Sequence, residues 1–213
     1  MTLSHTGPET PAAIGPVLTA TEEDAAAVTG TIAAAFADLD VCRWLCDDPP
    51  SRPAVLSGQL GITVRHAVRH GTVEYLPGYR AAAVWLPCPG PDVPGYDALL
   101  TEVTGRWAPR YRLLDEAMLA ARPSPPHAYL PLLAVHPAHQ GEGLGSVLLA
   151  HRHAALDATG TPAFLEAASA RSRRLYLRHG YLDCGPPIVL PYRGEPLYPM
   201  WREALPPAQP PSG

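Results

Sequence analysis

From residue 16 onward the sequence predicts an α/β fold in which helices cover a mixed sheet. Three observations carry this. Short aliphatic runs alternate with segments whose apolar residues recur at helical spacing. A buried-strand pattern at 132–135 turns through glycines directly into a helical pattern, with Leu144, Val147, Leu148 and His151 along it. The 213 residues are also enough for one domain to bury a sizeable core.

Residues 16–20 read as a first strand. Thr21, with Asp24 three residues on, resembles a helix-opening cap for a helix over 25–39, whose apolar face is Val28, Ile32, Ala35, Phe36 and Leu39. Asp47-Asp48-Pro49-Pro50 breaks the chain before a second helical pattern over 54–70, which Gly71 ends. Residues 73–76 and 80–86 are strand-like around Pro77-Gly78, a hairpin signal. Residues 96–121 read helical with an interruption near Pro109, and the prolines of 123–126 deliver the chain to the glycine-flanked strand. The helix after the glycines closes at Gly160. A strand over 163–167, an Arg-rich helix and two last strands near 188–190 and 197–202 complete the pattern. The expected organisation is a flexible segment over 1–15, a single domain over 16–203 and a disordered Pro-rich tail over 204–213.

Composition excludes several classes. The net charge is −4, and all sixteen basic residues are Arg, so nucleic acid is not the expected main partner. There is no signal-peptide pattern and no run near the ~20 apolar residues of a membrane span, which predicts a soluble, cytoplasmic protein, a monomer or homodimer. Cys42, Cys46, Cys88 and Cys184 contain no Cys-x-x-Cys pair and read as buried reduced thiols. His151 and His153, two apart on a helix, point in different directions, so no metal is expected.

The glycine-rich junction points to an anion site, since a strand that runs into a helix through glycines gathers N–H groups on one spot. It is not a Walker loop: Ser146 follows Gly145, and the chain has no Lys. Nor is it a dinucleotide fingerprint, because Ser146 stands where the third Gly belongs and the motif comes too late in the chain. What remains is Gln140-x-x-Gly143-x-Gly145 behind Val135-His136-Pro137. This resembles the acetyl-coenzyme A loop of the GNAT superfamily of N-acetyltransferases. The resemblance implies a mostly antiparallel sheet flanked by helices and splayed at the acyl-coenzyme A strand. It also implies that the amides of Gly141, Glu142, Gly143, Leu144, Gly145 and Ser146 hold a pyrophosphate. Leu133, Ala134, Val135, Gln140, Ser172 and Tyr176 are the further expected contacts of acetyl-coenzyme A, and the Val135 N–H is expected to polarise the thioester carbonyl.

Downstream residues add the chemistry of acyl transfer to an amine. Arg173-Arg174-Leu175-Tyr176-Leu177-Arg178-His179-Gly180-Tyr181 resembles the family's second signature, which makes Tyr176 the general acid for the leaving thiolate. A phenol near pKa 10 facing a thiol near about 8.5 can share or donate a proton. Glu166 ends a strand with apolar neighbours, so its carboxyl is a candidate for a raised pKa and the role of base. A closer likeness, to the puromycin N-acetyltransferases, runs patchily through 33–38, 83–85, 139–146 and 162–166 and implies a small amine acceptor, an antibiotic or metabolite. Phe36, Trp44, Trp85, Trp107 and Tyr111 are the expected pocket walls. Two departures bear on donor binding: Glu142 stands where the family often has a basic residue, and Ser172 where it has Asn. Arg171, Arg173, Arg174 and Arg178 either meet the adenosine phosphate or solvate an exposed face. The rival readings are a protein or peptide N-acetyltransferase and a non-catalytic acyl-coenzyme A sensor.

Overall fold

The computed structural model describes residues 14–205. Nearly all of the expected flexible start and Pro-rich tail therefore lies outside the described residues. Seven strands form one sheet in the order β1-β2-β3-β4-β5-β7-β6. They are β1 (Leu18–Thr19), β2 (Thr72–Tyr75), β3 (Ala81–Cys88), β4 (His127–Val135), β5 (Ala163–Ala167), β6 (Leu182–Asp183) and β7 (Tyr198–Arg202). Every neighbouring pair is antiparallel except β4 and β5. This is the mixed sheet that the sequence pattern predicts, and it is mostly antiparallel as the family resemblance implies.

Helices α1 (Ala25–Phe36) and α3 (Arg52–His70) cover one face, and α6 (Leu144–Ala158) and α7 (Ala170–Arg178) cover the other. The alternation of strand side chains sorts the core accordingly. On β3, Ala82 and Val84 pack toward α1 and α3, whereas Ala81, Ala83 and Trp85 pack toward α6. Being buried on both faces, β3 shows no polar alternation. None of the helices among the described residues is long and apolar enough to cross a membrane.

Several local expectations change. Helix α1 ends at Phe36, and a six-residue helix α2 (Asp40–Leu45), too short to show a period, follows. Its Cys42 is buried, as is Cys46 just beyond it; Cys184, expected to be buried, is exposed beside the edge strand β6. Only the backward half of the expected cap forms at α1: the Asp24 carboxylate accepts from the Thr21 N–H at 2.8 Å and from the Thr21 hydroxyl at 3.0 Å. The helical stretch 96–121 breaks at Gly105 (φ 53°) rather than at Pro109, giving α4 (Tyr96–Thr104) and α5 (Ala108–Ala121). Pro109 sits in the first turn of α5, where its missing N–H costs nothing. Near 188–190 there is only a single bridge, Ile188 to Leu197. Pro186, Pro187 and Pro191 around it cannot donate to a ladder.

One irregularity positions everything that follows. The β3–β4 register shifts so that Leu130 and Pro131 together oppose Trp85, a bulge of one extra residue in β4. Before it, the Ala128 N–H points toward β5 and donates to the Pro162 carbonyl at 2.9 Å. After it, the His136 N–H points toward β3 and donates to Arg80 at 2.8 Å. By alternation the N–H groups of Leu133 and Val135 therefore face away from β3, to the side where β5 would lie. But β5 pairs with β4 only at Ala128 and Tyr129. Beyond those two residues the strands part, and the splay leaves a cleft lined by unspent strand amides.

The face behind this cleft holds a buried histidine with a consequence for stability. His153 is 5% exposed, and its Nε2 lies 3.1 Å from the Tyr181 hydroxyl. Burial first, and the Arg202 charge second, push its imidazole down to about 4. An unfolded imidazole titrates near 6.5, so between about 6.5 and 4 the unfolded chain binds a proton that the fold refuses. Stability should then fall as pH drops through that window, by about 3 kcal/mol in total from this group. Denaturant midpoints at pH 7 and pH 4.5 should differ less in His153→Gln than in the parent, and equal differences would remove His153 as the cause.

Candidate active site

The strand β4 enters the glycine loop through a short 3-10 turn, Pro137–His139. Gly141 (φ 93°) and Gly143 (φ 80°) hold left-handed conformations that other residues rarely adopt. A Cβ at either position would meet nothing within 4 Å, so close packing does not explain these glycines. Backbone direction does. Among the described residues, the first N–H groups of α6 met by a carbonyl are those of Ser146 (2.9 Å) and Val147 (3.2 Å), both on Gly143. The N–H groups of Gly141 through Gly145 are left for an outside acceptor. Ser146, expected to add its amide, spends it on Gly143, and its hydroxyl lies 2.9 Å from His179 Nε2. The Glu142 side chain turns to His139 Nδ1 at 3.1 Å, and the Gln140 carboxamide braces the Val135 carbonyl at 3.4 Å.

The splay and the loop together open a cleft of about 640 Å³. Leu133, Ala134, Val135, Gln140, Gly141, Gly143, Leu144, Gly145, Ser146, Ser172 and Tyr176 line it, so the structure gathers every expected donor-side residue except Glu142. Ser172 lies in its wall while closing a capping box with Ser169 at the start of α7. The expectations for the Arg-rich helix divide. Arg171 and Arg178 line the cleft, whereas Arg173 is clamped to Asp183 by its Nε at 2.8 Å and by a second nitrogen.

A second cavity of about 510 Å³ opens on the α1 and α3 side, walled by α1 to α5 and mostly aliphatic. Phe36, Leu39, Pro131, Glu166 and Ala168 belong to both cavities. Glu166 thus stands where they meet. It shares the face of β5 with Phe164, opposite to Ala163, Leu165 and Ala167, which pack under α6 and α7. Its Oε2 accepts from the Tyr129 hydroxyl at 2.9 Å, and its Oε1 is buried with no protein partner. Burial pushes its carboxyl up to about 7, against the lowering effects of the Tyr129 hydrogen bond and the Arg122 charge. A carboxyl titrating there exchanges protons readily at neutral pH. Tyr176 reaches the donor cleft from α7, its ring edge-on to Tyr181 at 5.7 Å. Burial holds its hydroxyl far above the ordinary phenol value, so it stays protonated.

Residues 111–182 match the family model described as acetyltransferase (GNAT) domain. The chain is also similar to the solved histone acetyltransferase HPA2 and related acetyltransferase of Corynebacterium glutamicum, with 27% identity and a TM-score of 0.65 over 92% of this chain and 98% of that one. Over residues 111–182 the sequence thus carries the pattern of a GNAT acetyltransferase domain. The same fold appears in arylalkylamine N-acetyltransferase 2 of Aedes aegypti (15% identity, TM-score 0.61, covering 89% of this chain and 99% of that one). It appears again in the polyamine N-acetyltransferase of Drosophila melanogaster (18%, 0.59, covering 87% and 98%).

Of the five expected aromatic wall residues, only Phe36 lines the second cavity. Trp85 faces α6 and is packed edge-on to His153. Tyr111 is 1% exposed in the core between the helices. Trp44 stacks on Tyr192 with ring centroids 5.5 Å apart, and Trp107 donates to Asp47 at 2.9 Å. None of these four lines the cavity. Aliphatic residues make most of the lining, joined by Tyr96 and Tyr129, with Asp92, Asp115, Arg122 and His66 as its carboxylate, guanidinium and imidazole members beside Glu166. Sequence reading missed Tyr129, Arg122 and Pro131. A proline inside an apolar run was the available signal, since it marks a bulge.

Proposed function

We propose that this acetyltransferase moves an acetyl group from acetyl-coenzyme A to the primary amine of a small molecule by direct transfer, with residues 16–203 acting as one catalytic unit. The observation that carries the reading is the meeting of two cavities at Glu166. One is lined by unspent amides and by Arg171 and Arg178, which fits a donor bearing a pyrophosphate. The other is mostly aliphatic and of a volume that suits a small ligand.

Bound in the first cavity, acetyl-coenzyme A supplies an acyl thioester. The Val135 N–H, turned into the cleft by the bulge, polarises the thioester carbonyl. Glu166 takes the proton from the amine as its nitrogen bonds to the carbonyl carbon, while the carbon–sulfur bond breaks. Tyr176 gives its proton to the departing sulfur and regains one from Glu166 through solvent. The balance is amine plus thioester to amide plus thiol.

The acceptor cavity favours cations. Asp115 accepts from the Tyr96 hydroxyl at 2.8 Å, and burial among aliphatic side chains pushes its carboxyl up. A positively charged acceptor would compensate it. Asp115→Asn should therefore raise KM for cationic amines roughly tenfold while kcat stays near the parent value; an unchanged KM across the acceptors would show that Asp115 does not meet them. The reading as a whole is tested by thiol release from acetyl-coenzyme A over a panel of arylalkylamines, diamines, aminonucleosides and lysine peptides. Turnover with small amines supports it. Turnover confined to peptides, or none with any acceptor despite coenzyme A binding, would overturn it.

A further inference from the structure

Arg122 and Tyr129 converge on Glu166 and have no place in the transfer described above. Tyr129 is buried, its ring stacked on Phe164 at 5.9 Å, and its hydroxyl donates to Glu166 Oε2 at 2.9 Å. The Arg122 guanidinium carbon lies 4.4 Å from the centroid of the Tyr129 ring. Its Nε is buried without a hydrogen-bond partner, and the guanidinium packs on the ring face. Arg122 also caps the end of α5 and lines the acceptor cavity.

We propose that Arg122 and Tyr129 are positioning residues for Glu166. The Tyr129 hydroxyl fixes Oε2, the guanidinium pins the ring that carries this hydroxyl, and Oε1 is left as the oxygen that receives the acceptor's proton. The proposal rests on the reading of Glu166 as base. A carboxylate with one oxygen tied cannot rotate away from the acceptor, and the buried Oε1 has no other partner to satisfy it. The Arg122 charge opposes the burial that would otherwise keep Glu166 protonated through neutral pH.

Other groups near Glu166 do not replace this pair. From α5, Asp115 lies beyond Arg122 and shares its charge. His127 at the start of β4 feels Arg122 as a like charge when protonated. Cys184, after β6, is an exposed residue whose sulfur is nonetheless partly desolvated, which together with the Glu166 charge pushes its thiol up. Tyr176 from α7 stays neutral, and the register partner on β7 is Pro199, which carries no charge.

The test is carboxyl NMR titration of the full chain labelled with carboxyl-13C glutamate, with the Glu166 resonance identified by its absence in Glu166→Gln. In Arg122→Gln the Glu166 midpoint should rise by about 0.5–1 pH unit. Tyr129→Phe keeps the ring and its stack but loses the hydrogen bond, and should also raise it. Arg122→Lys keeps the charge and should restore most of the shift. A midpoint unchanged in either Arg122→Gln or Tyr129→Phe overturns the proposal; if Arg122→Gln does not fold, Tyr129→Phe decides alone. The titration needs no acceptor. Failure of the base reading shows separately, as full turnover in Glu166→Gln.

Discussion

Glu166→Gln should lose between about 10² and 10⁴ in kcat/KM toward a good amine, the usual contribution of a positioned general base. The substitution is nearly isosteric, and its carbonyl oxygen can still accept from Tyr129, so the fold and the cavity walls should survive. The pH profile distinguishes this from a packing defect. With the carboxyl pushed up to about 7, the base form gains as pH rises, so kcat/KM of the parent should climb through about 7 and level off above it. Glu166→Gln should lack that limb altogether, while affinity for coenzyme A, measured calorimetrically, stays within about twofold, because the loop amides proposed for the donor lie on another element. A variant with parental turnover, or one with the same limb, would remove Glu166 from the chemistry.

Tyr176→Phe should lower kcat by roughly 10², the lower part of the range for a proton donor. It deletes only the hydroxyl and leaves the ring against Tyr181. The KM for acetyl-coenzyme A should not move, since the loop amides and the Arg171 and Arg178 side chains remain. The raised titration of this phenol refines the sequence reading, which matched its ordinary value to that of a thiol. Burial keeps the proton in place until a developing negative sulfur lies beside it, which suits a donor that acts late. Full kcat in Tyr176→Phe would end the acid role. A loss of donor affinity equal to the loss of rate would make the residue part of the binding wall.

The features legible in the sequence were those written in local backbone chemistry. The loop announced itself through Gly141 and Gly143, whose conformations only glycine adopts cheaply, and the strand over 163–167 through its apolar run ending in Glu166. Tyr176 was legible through its helix and through the Gly180 that follows. The features that stayed hidden depend on which face a strand turns to the core. Trp85 lies on a recognisable strand, yet its position relative to Ala81 and Ala83 sends it under α6 rather than into the acceptor cavity. Trp44, Trp107 and Tyr111 failed for a related reason: an aromatic on a wall helix faces the cavity or supports it depending on a rotation that a short helix does not reveal. Helix α2 and strand β6, at six and two residues, are too brief for any period. Tyr129 stays hidden because the apolar run reads as a strand only from 132, past Pro131.

The bulge at Leu130 and Pro131 makes odd and even exchange meaning along one strand. Ahead of it, the even positions Ala128 and Leu130 pack under α6; behind it, the even positions Leu132 and Ala134 pack under α1 and α3. A strand of the same residues paired with β3 without the bulge, its register slipped by one beyond Tyr129, would keep its composition and its glycine loop. It would nonetheless turn the amides of Leu133 and Val135 into β3 and their side chains into the opposite core. The direction of the amides that face the cleft is thus a matter of register, fixed by where the strand accommodates one extra residue and indifferent to most of the side chains around it.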